Sequence, residues 1–131
     1  MSLATEKNVI ITRKSRENIV KARAGVIELP KIAGMAFGNG GTDENGNVIP
    51  PAEDQSSLAS EIYRKEIDSY SFPEDTTCRY ECTLGEAELA GENISEVGLY
   101  DVNGDIVCIK TFTNKGKDGD IEMTFTLDDM F

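Results

Sequence analysis

The alternation of apolar and polar positions is clearest between Ile94 and Lys110, where two β-branched runs flank Asp101-Val102-Asn103-Gly104-Asp105. Strand, Asn-Gly turn and strand in that order predict a β-hairpin. A type I turn with Gly104 in the left-handed region makes a three-residue loop and lays Asp101 opposite Asp105. In that register Val97 faces Ile109, Leu99 faces Val107 and Tyr100 faces Ile106, while Glu96 lands opposite Lys110 as a favourable cross-strand pair. Val97, Leu99, Val107 and Ile109 then serve the core. Tyr100, Ile106 and Cys108 form a second apolar face and are the candidates for an assembly interface.

The same period of two runs through Cys78, Tyr80, Cys82 and Leu84, and again through Ile121–Leu127, so both segments read as strands with one buried face. Glu66–Phe72 precedes the first of these across a Pro73-Glu74-Asp75 turn. Ile32–Phe37 is an apolar run that reads as a buried strand and ends in Gly38-Asn39-Gly40-Gly41. Lys7–Arg13 reads as an extended lead-in. Helical spacing is confined to Lys14–Ala24, with Ser15 as N-cap and Gly25 where the helix stops, and to one or two turns over Ser57–Lys65. Residues 42–56 are a long polar loop, 85–92 an acidic stretch without clear periodicity, and 114–120 a glycine-rich turn. These elements predict an α+β class: a strand-rich, mixed or antiparallel sheet with one main N-terminal helix and a prominent hairpin in the C-terminal half, in a single domain over 1–131.

Charge removes one class of partner. The net charge of −11 leaves no concentrated basic surface for nucleic acid. It is unevenly placed: residues 1–31 carry about +4 and residues 32–131 about −15, an asymmetry able to steer one subunit onto a neighbour. No apolar run is long enough for membrane insertion, and Val9-Ile10-Ile11 is too short for a secretory signal. Three cysteines, Cys78, Cys82 and Cys108, and no histidine fall short of a zinc site and of a closed disulfide framework, so they read as buried thiols and no metal or cofactor is expected. Gly38-Asn39-Gly40-Gly41 lacks the spacing of a phosphate loop, and neither acidic loop has the ligand pattern of a calcium-binding loop. Without histidine the usual nucleophile–base dyads are missing, and no catalytic residue is assigned. Two further classes stay open: a small β-rich module binding a carbohydrate or cell-surface ligand, and a hydrolase working through paired carboxylates.

Four segments together resemble the N-terminal domain of phage tail-collar fibre proteins, found in tailed phages and prophages. They are the basic helix Lys14–Gly25, the run Ile32–Thr42, Leu58 with Glu61-Ile62-Tyr63-Arg64, and the hairpin Ile94–Ile109, whose Ile94-Ser95-Glu96-Val97-Gly98-Leu99-Tyr100 is similar to the family's motif. The resemblance implies a non-enzymatic virion structural protein, made in the bacterial cytoplasm, that seats a fibre or collar on the tail baseplate. It implies a homo-oligomer, with a trimer favoured, in contact with neighbouring tail or baseplate proteins. In such proteins a longer shaft follows this domain; here the sequence stops at Phe131, which points to a short adaptor, a baseplate-proximal component or a prophage remnant.

Overall fold

The computed structural model describes residues 8–131, so Lys7 of the extended lead-in lies outside the described residues. Nine elements follow in order: β1 (Val9–Ile11), α1 (Arg13–Arg23), β2 (Ile32–Gly38), β3 (Glu61–Glu66), β4 (Ser69–Glu74), β5 (Thr77–Leu84), β6 (Asn93–Asp101), β7 (Ile106–Gly116) and β8 (Met123–Met130). They make two sheets, a five-stranded one ordered β1-β7-β6-β2-β3 and a three-stranded one ordered β4-β5-β8. Every pairing is antiparallel. The α+β expectation of one sheet with a main helix is therefore corrected: strand accounts for 48% of the described residues and helix for 9%, which makes the described part a two-sheet β fold with one short helix.

The physical reason lies in two segments. One or two helical turns are expected over Ser57–Lys65, yet Glu61–Glu66 is β3, an edge strand registered against β2 through Ala36–Arg64 and Phe37–Tyr63. Alternation of Ile62 and Arg64 with Tyr63 and Lys65 lets one row of side chains reach the core, and that tertiary gain overrides local helix propensity. At Ile67-Asp68 the chain then leaves the first sheet for the second: the Ile67 amide donates to the Ala33 carbonyl and the Asp68 amide to that of Glu81.

The sheets share one core. Met35, Phe37, Val97 and Leu99 from the larger sheet meet Cys82, Leu84 and Leu127 from the smaller, and the rings of Phe37 and Phe125 cross between sheets at 5.2 Å in a T-shaped contact. Helix α1 packs against β7. Its N-cap is Thr12, not Ser15: the Thr12 hydroxyl accepts from the Ser15 amide, and Gly25 follows the helix with φ +80°.

Thr12 also explains why the β6–β7 register departs from expectation. Tyr100 pairs with Ile106, but Leu99 pairs with Cys108, Val97 with Lys110 and Glu96 with Thr111. Val107 is an extra residue on β7, a β-bulge. The Thr12 hydroxyl donates to the Ile106 carbonyl at 2.7 Å and its amide donates to that of Val107 at 3.0 Å, so the bulged carbonyls are satisfied from the start of α1. The bulge puts Val107 and Cys108 together in the core between the sheets and sends Ile109 to the other face with Ala36, Leu58 and Ile106.

Candidate functional site

That other face of the larger sheet is covered by the chain's own residues 39–60. Leu58 packs with Ala36, Ile106 and Ile109, and the cover is pinned by Glu96. This carboxylate, expected opposite Lys110 as a cross-strand pair, is fully buried. Its Oε2 accepts from the amides of Gly40 and Ser60 and its Oε1 from that of Ala59, each at 2.8 Å. Three backbone donors converging on one buried carboxylate form a satisfied anion site built by the chain for itself. The glycines make room for it: a Cβ at Gly38 or Gly40 would collide with the Glu96 side chain, and one at Gly41 with the Ser95 carbonyl. The Gly41 amide donates to the Ser95 hydroxyl next to Glu96 at 2.9 Å.

A second polar cluster joins the two sheets. The Lys65 ammonium on β3 donates to Glu88 Oε1 at 2.6 Å and to the Thr83 carbonyl at 2.7 Å. The Tyr63 hydroxyl donates to Glu88 Oε2, and the Gly85 amide donates to Oε1. Lys65, then Tyr63 and the Gly85 amide, hold the Glu88 carboxyl down at about 2. Lys65 and Tyr63 are both shifted upward, chiefly by their hydrogen bonds to Glu88. Nearby, burial pushes the Cys82 thiol up to about 12, which leaves it inert at neutral pH.

Of the three candidate interface residues, Ile106 is buried under the 39–60 cover and Cys108 in the core between the sheets. Tyr100 is half-buried, with the Arg64 guanidinium 4.7 Å from its ring centre. Arg64 is held by Glu61 and by the Gly104 carbonyl at 2.9 Å. The bulge separates the three: Tyr100 and Ile106 share the outer face, and Cys108 does not. An uncovered apolar surface lies elsewhere, in a groove of about 790 Å³ between α1, residues 29–32 and the inner face of the smaller sheet. Tyr70 and Phe72 of β4 stand exposed there.

Comparison with known proteins joins these observations. The family model described as phage tail-collar fibre protein, N-terminal, matches residues 3–123. The chain belongs to the phage tail-collar fibre family. No curated protein and no solved structure gives a significant match. Two of the four segments that carried the resemblance, Ile32–Thr42 and Ile94–Ile109, meet where the Gly40 amide donates to Glu96, and Ala59 and Ser60, between Leu58 and Glu61 of the third, donate to the same carboxylate. In this tail-collar fibre chain the recognisable motif is thus a fold-building device. Sequence reasoning missed Glu96 as a buried group. The available signal was a charged residue inside an apolar strand, together with a glycine run that had no phosphate-loop spacing to explain it.

Proposed function

We propose that this chain is a non-enzymatic structural part of the tail that seats a fibre or collar on the baseplate as a homo-oligomer, a trimer in the first instance. Family membership over residues 3–123 carries the reading. Two features support it. The most connected carboxylates, Glu96 and Glu88, are spent on holding segments together. An apolar groove opens beside α1, with Tyr70 and Phe72 uncovered, as a docking surface requires. On the outer face, Tyr100 with its stacked Arg64 is the part of the expected interface left within reach of a neighbour.

The alternatives fare less well. Asp101 and Asp129 line one groove, but Asp101 Oδ1 is held by the Asn103 and Asp105 amides and its Oδ2 is closed off from solvent, a poor arrangement for proton transfer to a substrate. Tyr70 and Phe72 stand edge to face at 80°, which offers no flat platform for a sugar ring. Light scattering of the purified chain tests the assembly: a defined trimer, or a stable complex with a co-expressed baseplate protein, is expected. A monodisperse monomer at high concentration and moderate salt that binds no tail protein overturns it.

A further inference from the structure

The groove beside α1 is the open mouth of the inter-sheet core. On the inner face of β5, Cys78 follows Tyr80 and Cys82 toward that mouth, and β8 places Asp129 across from Cys78 in register. The strand alternation calls for an apolar side chain at 129, yet a carboxylate is there. Burial raises its pKa above the ordinary value, and no hydrogen bond or ion pair holds it among the described residues. A second carboxylate stands at the same groove from the opposite sheet. Asp101 is 1% exposed, its Oδ1 is occupied by the turn amides, and its Oδ2 has no partner. A buried oxygen left without a donor is costly, and a cation held at the mouth of the groove lowers that cost through its field. Arg23 and Lys31 sit on the helix side of the groove, and neither makes an ion pair within 4.0 Å with these carboxylates.

We propose that this groove receives an arginine- or lysine-bearing segment of a partner protein, its cation meeting Asp129, its flanking apolar residues lying on Tyr70 and Phe72, and the buried Asp101 acting on it through its field and not by contact. Charge complementarity selects this occupant. Two carboxylates without an ion pair within 4.0 Å among the described residues leave room for a cation, the exposed rings, at 62% and 67%, favour its aliphatic stem and guanidinium face, and the net charge of −11 draws basic partners in. The inference rests on the docking role proposed above and specifies its chemistry.

The test uses the full chain and two peptides, acetyl-Phe-Arg-Leu-amide and the same sequence with citrulline in place of arginine, followed by NMR chemical-shift titration. Saturable shifts at Tyr70, Phe72, Asp129 and Asp101 are expected for the arginine peptide, with affinity about tenfold weaker for citrulline and for D129N. Asp129 sits at the mouth, so D129N should keep the native spectrum; Y70S, on an exposed ring, is the second variant and should weaken binding without unfolding. Absence of saturable binding overturns the proposal, as does equal affinity for both peptides. Self-association that blocks the groove and is lost in Y70S also overturns it, assigning the groove to a second copy. A tail partner captured equally well by wild type and D129N refutes this site while leaving the docking role standing.

Discussion

Replacing Glu96 removes the acceptor on which three segments converge. Three amides at 2.8 Å lose a charged acceptor in E96A, and each unsatisfied donor costs about 1–3 kcal/mol. Relief of the carboxylate's own desolvation offsets part of this, leaving a net loss of about 3–5 kcal/mol. Against a total stability of about 5–15 kcal/mol for a domain, that consumes much of the margin. E96Q is the sharper test because shape is kept. Its amide oxygen can take the place of Oε2 and serve Gly40 and Ser60, but its NH₂ then faces the Ala59 amide, donor against donor. A loss of about 2 kcal/mol is expected, which moves the urea midpoint by about 1 M at an m-value of about 2 kcal/mol/M. Urea unfolding followed by circular dichroism measures the midpoint. Amide hydrogen exchange should show faster exchange at residues 40, 59 and 60 before the core strands change. An E96Q midpoint equal to wild type, with unaltered protection at those amides, would refute the claim that this carboxylate anchors the cover.

Further outcomes follow from the other polar contacts. Glu88 has a folded pKa depressed from 4.5 to about 2, so its contribution is present above about pH 4.5 and is lost as pH falls toward 2. At 27% side-chain exposure solvent screening limits that contribution to about 1 kcal/mol, and E88Q should flatten the acid limb of a stability–pH curve; a limb identical to wild type would count against the cluster. T12V loses both the cap to Ser15 and the bond to Ile106, with an expected cost of about 1–2.5 kcal/mol in chemical denaturation; a neutral result would show that the bulge holds without it. G41A places a Cβ against the Ser95 carbonyl and should cost about 1–3 kcal/mol through overpacking, read as a lowered melting temperature. Burial of Cys82 and Cys108 against half-exposure of Cys78 predicts that a bulky maleimide labels at most Cys78 in the native state; rapid labelling of all three would contradict the core described above.

Much of the fold was legible where local and tertiary demands agree. The strand runs around Ile32–Phe37, Cys78–Leu84 and Ile94–Lys110 are apolar on the faces that the core needs, and Gly104 with φ +85° takes the turn conformation that Asp-x-Asn-Gly favours. Four things were hidden. The Val107 bulge depends on Thr12, 94 residues away from Ile106 in sequence, so no local reading of the β6–β7 turn reveals it. It alone reverses the faces of Cys108 and Ile109. The strand at Glu61–Glu66 has helix-favouring composition and becomes a strand only because β2 offers an edge. Glu96 read only as a cross-strand partner for Lys110 because its actual partners are backbone amides of Gly40, Ala59 and Ser60, which carry no side-chain signature. The division into two sheets was likewise unreadable, since it rests on the crossing at Ile67-Asp68.

The central claim, that this member of the tail-collar fibre family serves as a structural part of a tail, is tested most directly by the composition of the tail itself. Tail particles from the virus or prophage encoding the chain, purified by density gradient and analysed by quantitative mass spectrometry, should contain it in a fixed ratio to the baseplate proteins, a multiple of three. Particles that are complete and carry fibres while lacking the chain would contradict the account.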